Sequence, residues 1–518
     1  MQLNYRANRN NQSPVRPILL TVSGNDCYGM AGAATDIRTA NAMNVHVLPV
    51  ITANTAQNNQ GVQALNPIPV AALQSQLESA LMAFPDAIKI GQLANDEQIE
   101  CVASALQEHT ADNVIYDPVL KASSGEWLHQ AGANADSEQQ LLATIVAHLY
   151  PCVSLITPNI AEASWLSGIE INSLDDFPIA AQRILSMGAK AVYISGGHLP
   201  EVSNGEKWCH DFFLSQQHSF WLASKAIASI NTRGTGCALS SAIAAALALG
   251  ASLQDAVVIG KMAVHQGIRY GYGIEQDAGP VAIQRFPDDA LDLPLVSDQR
   301  IRTPLHRFPR LTHKGLYPIV DRAQWVARLA PLGIKVIQLR IKDLTGAELK
   351  QELREAIKLG RQHQCLIFVN DYWQLAIELD ADGIHLGQDD LQDADIEQIA
   401  NANLMLGIST HCHYEVARAH GYQPSYIALG PVFETTTKVM PWRPLGIDGL
   451  SYWRKVLPRP IVAIGGINQT QLAAVHDTGA ELVAMISALT DARDPEKVVR
   501  AMQALLTQPQ STSATPDE

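Results

Sequence analysis

Val336-Ile337-Gln338-Leu339-Arg340-Ile341-Lys342 alternates apolar and polar side chains through its whole length, which is the period of a β-strand and not of a helix. Alternation puts Gln338, Arg340 and Lys342 on one face, with Ile337, Leu339 and Ile341 packed behind them. An amide and two cations projected side by side form a place for a polyanion, most naturally a diphosphate. Seven further runs of strand character surround this one: LYPIV at 316–320, LIFVN at 366–370, GIHLG at 383–387, LMLGIST at 404–410, YIALGPVF at 426–433, IVAIGGI at 461–467 and ELVAMIS at 481–487. Most are separated by helix-length segments. Eight strand–helix repeats predict a (β/α)₈ TIM barrel over residues 311–507, with its active site at the carboxyl ends of the strands.

Polar residues collect at those ends. Asn370-Asp371 closes the third strand and Gly387-Gln388-Asp389-Asp390 follows the fourth, so two carboxylates on neighbouring strand ends can share one hard cation, with Mg²⁺ the expected ion, completed by water and substrate oxygens. Thr435-Thr436-Thr437-Lys438 follows the sixth strand and offers hydroxyls and a cation. Gly465-Gly466 and Ile486-Ser487 close the seventh and eighth, where such barrels bind phosphate through backbone amides. His411-Cys412-His413 looks metal-like, but adjacent side chains diverge and the spacing suits no zinc site.

Upstream, short apolar runs again alternate with helical patterns: ILLTVSG at 18–24, VHVLPVIT at 45–52, AIKIGQL at 87–93, VIYDPVL at 114–120, LITPN at 155–159 and AVYISGG at 191–197. This is the βαβ rhythm of a parallel sheet covered by helices. The sharpest local signal is Asn231-Thr232-Arg233-Gly234-Thr235-Gly236-Cys237, leading straight into ALSSAIAAALALG. Glycines before a helix start leave amides free to surround an oxyanion, aided by the helix dipole, and Cys237 would sit in that hole. Asn159 and Glu162, three apart at a helix start, can share a face and orient water around Mg²⁺. AQNNQGV at 56–62 reads as a polar loop after a strand, able to hydrogen-bond a flat heterocycle. From Pro287 to Arg310 periodicity dissolves into a proline-rich stretch, expected as a connector between a domain at 17–286 and the barrel. Residues 1–16 and 508–518 read as a frayed leader and a disordered tail.

Composition narrows the class. A chain of 518 residues that is 47% hydrophobic can fill more than one core, and its formal charge of -14 carries no basic block, which argues against nucleic acid and an anionic membrane surface as partners. Seven cysteines at irregular spacings, without Cys-x-x-Cys, suggest free thiols in a cytoplasmic protein. No apolar run reaches the ~20 residues of a membrane span. A homo-oligomer is left open.

The motifs AQNNQGV, DPVL, ITPNIAEA and RGTGC, over roughly Ile18 to Phe286, resemble the hydroxymethylpyrimidine (phosphomethylpyrimidine) kinases, an α/β sandwich of ribokinase-like type with a parallel-rich sheet. The resemblance implies that Cys237 is the base for the pyrimidine hydroxymethyl group, that the amides of Gly234, Thr235 and Gly236 hold the transferred phosphate, and that Asp36 and Gln57 contact the pyrimidine. Asp117, Asn159 and Glu162 would serve ATP with its Mg²⁺. Two departures stand out: SGNDCYGMAG at 23–32 where the family has GTDPSGGAG, and Ser195-Gly196-Gly197-His198 where it usually has a lysine first. They keep open a rival reading in which this domain only binds pyrimidine.

QLRIK, VND, DGIHLGQDD, GIST, TTTK, AIGGIN and MIS, nearly spanning 313–506, resemble thiamine-phosphate synthase. By that resemblance Gln338, Leu339, Arg340, Ile341, Lys342, Asn370, Ser409 and Lys438 line the site of an aminopyrimidine diphosphate, with Arg340, Lys342 and Lys438 assisting its departure and Asp371 and Asp390 holding Mg²⁺. Thr435, Thr436, Thr437, Gly466, Ile486 and Ser487 would receive thiazole phosphate. Taken together, the resemblances imply a fusion enzyme of thiamine biosynthesis, in which a kinase domain supplies hydroxymethylpyrimidine diphosphate to a synthase barrel. VMPWRPLG after Lys438 departs from the synthase pattern, with Trp442 not the residue expected there.

Overall fold

The structure is a computed structural model that describes residues 15–122, 125–130, 135–197, 199–203, 205–274, 276–301, 308–435 and 442–506. These fall into two compact units, 15–301 and 308–506. The expected leader, apart from Val15 and Arg16, and the expected tail lie outside the described residues.

The first unit is built on one sheet of eleven strands. They are β1 (Ile18–Asp26), β2 (His46–Asn58), β3 (Gly61–Pro67), β4 (Ala87–Ile90), β5 (Val114–Tyr116), β6 (Leu155–Ile156), β7 (Ala191–Ile194), β8 (Glu201–Ser203), β9 (Glu206–Ser215), β10 (Ser219–Lys225) and β11 (Leu295–Ser297). The order is β11-β10-β9-β7-β6-β5-β4-β1-β2-β3, with β8 beside β9. The run from β7 through β2 is parallel. Its members β4 to β7 are buried at every position, as strands with helices on both faces must be. Antiparallel strands extend the sheet at both ends.

Three features differ from the sequence expectation. AQNNQGV is no loop: Ala56 to Asn58 continue β2, and Gly61 begins β3, so the motif forms the tip of a hairpin. The hairpin β9–β10 is absent from the sequence reading, although its aromatics Phe212, Phe213, Phe220 and Trp221 stack across the strands. The expected connector begins inside the first unit. β11 pairs with β10, Leu293, Leu295, Val296 and Ile301 are buried, and Asp292 receives Arg269 at 2.7 Å and His265 at 2.8 Å. Three strand residues between proline breaks are too few to show a period, but an edge strand tolerates flanking prolines.

The second unit is a closed parallel barrel of β12 (Gly315–Val320), β13 (Val336–Leu339), β14 (Leu366–Asn370), β15 (Gly383–Leu386), β16 (Met405–Thr410), β17 (Tyr426–Leu429), β18 (Ile461–Ala463) and β19 (Leu482–Met485). All eight expected strands are present; most stop earlier than expected at their carboxyl ends, where the polar site residues begin. Tyr317, Ile319, Val336, Phe368, Tyr426, Ala428, Val462, Leu482 and Ala484 share the interior core. Two glycines make room for its aromatics. A Cβ on Gly383 would stand 2.5 Å from the Phe368 ring, and one on Gly407 would stand 2.1 Å from the Tyr426 ring.

Candidate active sites

At the barrel mouth, alternation holds through the strand and then stops. Val336 lies in the barrel core, so Gln338, two residues on, also faces inward. Gln338 is 2% exposed and its Nε2 has no hydrogen-bond partner. A buried donor left unsatisfied is costly, which marks the place where a ligand acceptor belongs. Arg340 follows at the rim, exposed, its amide donating to the Val320 carbonyl at 2.7 Å. Lys342 departs from the expected single face: β13 ends at Leu339, and Lys342 instead pairs with Asp371 beyond the next strand. Leu339 and Ile341 are buried on the opposite, helix-facing side, so their main chain is what they can offer a ligand.

Asn370 continues the inward row of Phe368. Asp371 adopts φ 67°, a left-handed conformation unusual outside glycine and concentrated at functional sites. Asp390 accepts the Gly387 amide at 3.0 Å. Among the described residues no group of three or more His, Cys, Asp or Glu side chains gathers for a metal. Mg²⁺ commonly takes one or two carboxylates and completes its shell with water and phosphate oxygens. Asp371 and Asp390, following the adjacent strands β14 and β15, fit that mode.

Gly466 has φ 68°, and a Cβ there would lie 2.3 Å from the Glu434 carbonyl, so only glycine lets the seventh strand's loop approach Phe433 and Glu434. Ile486 is half-buried and Ser487 exposed at the start of a one-turn helix, Ser487–Thr490. Thr436, Thr437 and Lys438 lie outside the described residues. His411, beside Ser409 in sequence, is held by Glu415 at 2.8 Å and stacks on Trp442 at 5.5 Å between centroids.

Beneath the mouth is a group that the motif reading overlooked. His385 Nε2 lies 2.7 Å from Ser409 Oγ, His385 Nδ1 lies 2.7 Å from Tyr426 Oη, and Tyr426 Oη lies 2.7 Å from Tyr317 Oη. Burial pushes His385 down to about 4, with Asp390 opposing and Arg340 assisting. The signal was available in DGIHLG, where an inward-facing strand position carries a histidine in place of an apolar residue.

In the first unit the glycine turn is where the sequence put it. Gly234 has φ 77° and caps the helix Thr235–Ala248. A Cβ on it would meet the Met30 carbonyl at 2.3 Å. Met30 belongs to the divergent segment 23–32, whose turn is built on Asp26: its carboxylate accepts the amides of Tyr28, Met30 and Ala31 at 2.8, 2.9 and 3.0 Å. Cys237 is buried in the first helical turn, and burial pushes its thiol up to about 12 against the opposing pull of Lys89.

Asp36, expected on the pyrimidine, is instead fully buried. It accepts Thr21 at 2.6 Å, Ser23 at 2.9 Å, Ser241 at 2.8 Å and the Lys89 ammonium at 3.0 Å. With those four donors and no exposure its carboxylate is engaged within the protein. Lys89 also stands 3.9 Å from Asp117, which accepts Ser240 at 3.0 Å; burial raises the Asp117 carboxyl. Gln57 is half-buried at the end of β2. Asn159 and Glu162 form a reciprocal cap on the helix Ile160–Ser167, Asn159 Oδ1 accepting the Glu162 amide at 3.0 Å and Glu162 Oε2 the Asn159 amide at 2.9 Å. The cap leaves one Glu162 oxygen for other work; burial holds this carboxyl well above its usual range. Ser195 is half-buried beside them, its amide donating to the Pro158 carbonyl.

Comparison with known proteins gives each unit a family. The phosphomethylpyrimidine kinase family model matches residues 26–282, and the thiamine monophosphate synthase model matches residues 313–489. The thiamine biosynthetic bifunctional enzyme of Arabidopsis thaliana, a chloroplastic protein, is 32% identical over 92% of this chain and 90% of its own length. The chain belongs to the family of thiamine biosynthetic bifunctional enzymes. Within this family frame, the second unit is 50% identical over 183 residues to the thiamine-phosphate synthase of Photorhabdus laumondii, covering 35% of this chain and 84% of that protein. A solved pyridoxal kinase from Staphylococcus aureus is 26% identical, covering 55% of this chain and 98% of its own, with a TM-score of 0.47. The family membership makes the chain a kinase joined to a synthase, and nothing in these likenesses favours a first unit that only binds. No helix among the described residues is long and apolar enough to cross a membrane.

Proposed function

We propose that the second unit condenses hydroxymethylpyrimidine diphosphate with thiazole phosphate to give thiamine phosphate and diphosphate, and that the first phosphorylates hydroxymethylpyrimidine and its monophosphate with ATP. The observation that carries the synthase assignment is the unpartnered, buried Gln338 amide beside Arg340 and the Lys342–Asp371 pair. Gln338 and Asn370 orient the aminopyrimidine diphosphate, while Arg340 and Lys342 stabilise the charge that grows as the carbon–oxygen bond to diphosphate breaks. The thiazole nitrogen forms the new bond to the pyrimidine methylene, and diphosphate leaves with the bonding pair. Mg²⁺ held by Asp371 and Asp390 would neutralise diphosphate charge. Gly466, Ile486, Ser487 and Thr435 receive the thiazole phosphate, with Thr436, Thr437 and Lys438 completing the site.

In the kinase, the amides from Gly234 to Gly236 bind the transferred phosphoryl group at the helix start. Asp117, Asn159 and Glu162 serve ATP with its Mg²⁺, and Gln57 contacts the pyrimidine. Cys237 takes the hydroxyl proton. Seven cysteines, none of them in a disulfide, support a thiol-reducing compartment such as the cytoplasm.

The test of the synthase assignment supplies both substrates to Arg340→Ala and Asp371→Ala. A lost charge-assisted contact is worth ~1.5–3 kcal/mol, so turnover should fall by roughly tenfold or more; unchanged formation of thiamine phosphate in both variants rejects the assignment. ATP-dependent conversion of hydroxymethylpyrimidine by the same chain checks the kinase.

A further inference from the structure

Three buried groups below the barrel mouth, Tyr317, Tyr426 and His385, and Ser409 above them form a hydrogen-bond chain with one blind end. Tyr317 is 1% exposed, and among the described residues its hydroxyl has one partner, Tyr426. Tyr426 has two, Tyr317 and His385 Nδ1. His385 has one on each ring nitrogen, and Ser409 Oγ receives the far end. A buried O–H without an acceptor is rare and costly, so the Tyr317 proton goes to Tyr426. Tyr426 must then direct its own proton to His385 Nδ1, the acceptor that is left. An accepting Nδ1 carries no proton, so the ring is neutral and its proton lies on Nε2, donating to Ser409 Oγ. The reverse direction would strand the Tyr317 proton in the core.

We infer that Tyr317, Tyr426 and His385 are positioning residues forming a one-way hydrogen-bond relay, which keeps the Ser409 hydroxyl proton free and turns Ser409 into an obligate donor to the substrate. Ser409 is half-buried at the mouth, and with its oxygen engaged by His385 its proton points to the ligand. The relay therefore selects for an acceptor, a ring nitrogen lone pair or a phosphate oxygen, and against a donor at that point. The unpartnered Gln338 Nε2 offers a second donor. Gly407 belongs to this arrangement, because its missing side chain is the space the Tyr426 ring fills. The inference rests on the reading of Ser409 as a substrate contact.

The test uses the full-length chain labelled with ¹⁵N-histidine. The His385 ring signals, identified by their loss in His385→Gln, should show a protonated Nε2 and an accepting Nδ1 at neutral pH; a proton on Nδ1 overturns the relay. In synthase assays Tyr317→Phe removes the blind-end proton, and kcat/KM for the pyrimidine diphosphate should fall about fivefold, the scale of one hydrogen bond. Ser409→Ala should fall at least as far, and the double variant no further; independent, multiplying losses overturn the coupling. His385→Gln keeps a donor toward Ser409 and an acceptor toward Tyr426, and should retain more activity than His385→Leu; equal losses count against polarity as the cause. The barrel's own unfolding midpoint, measured for each variant in the full-length chain, serves as the folding control. A fully active Ser409→Ala with Nε2 protonated would overturn the reading of Ser409 while leaving the relay intact, so the two failures are distinguishable.

Discussion

Replacing Lys89 with methionine should destabilise the kinase unit more than any surface change. Lys89 and Asp36 are both fully buried, with the ammonium 3.0 Å from one carboxylate oxygen and 3.1 Å from the other. Removing one partner of such a pair leaves an uncompensated buried charge and typically costs ~3–5 kcal/mol. Here Asp36 keeps three hydroxyl donors, from Thr21, Ser23 and Ser241, which places the expected loss near the lower figure. For a unit of this size, ~3 kcal/mol lowers the unfolding midpoint by roughly 6–12 °C. Burial disfavours the ammonium, but Asp36, Cys237 and Asp117 outweigh it and hold Lys89 above its ordinary pKa. Its stabilisation is therefore complete below the ordinary lysine value and is lost only as pH rises through the folded one, so the penalty should be constant across the neutral range. Calorimetry of the full chain would read the loss on the kinase transition, with the barrel transition unmoved. Lys89→Met/Asp36→Asn should recover part of it by removing the stranded charge. A loss below ~1 kcal/mol, or no recovery in the double variant, would refute the buried-pair argument.

Further outcomes follow from other parts of the structure. Gly407→Ala should destabilise the barrel by ~1–3 kcal/mol through overpacking against Tyr426, read as a drop in the barrel's unfolding midpoint with the kinase transition unchanged. With its thiol pushed up to about 12, Cys237 as a base predicts kinase kcat/KM still climbing with pH at about pH 10; the dependence should vanish in Cys237→Ala, with a ~10²–10⁴-fold loss. A plateau near neutrality would give the proton to another group, Asp117 first. A fragment ending at residue 286 should aggregate, because it strips β11 from the sheet and Asp292 from Arg269 and His265, whereas one ending at residue 301 should be soluble; equal solubility would deny that segment its structural part.

What could be read from the sequence was what repeats or alternates. The barrel strands were legible because eight short apolar runs recur between helical segments, and Gln338 because strand alternation points it inward. Lys342 escaped that logic: the strand ends three residues earlier, and the partner that places it, Asp371, lies in another part of the chain. The setting of Asp36 was hidden for a related reason, since its four donors come from β1, β4 and the helix Thr235–Ala248, and no local spacing announces such a convergence. β11 was hidden by brevity and proline. Tyr317, Tyr426 and His385 were all visible within strands that were correctly located, but their meeting depends on the closure of the barrel.

The helix that opens at Gly234 is surrounded. From Cys237 to Ala248 every side chain is buried, and most are alanine or serine. Its neighbour, Leu253–Arg269, comes so near that a Cβ on Gly260 would lie 2.5 Å from Ile243. The amides at its first turn thus belong to an element that cannot tilt or retreat without dismantling the domain. The anion affinity proposed there would then be a property of the scaffold and would outlast any particular reactive side chain. A lineage that lost phosphoryl transfer, through Cys237 or through the serine at 195, would inherit a phosphate receptor for as long as it kept the fold.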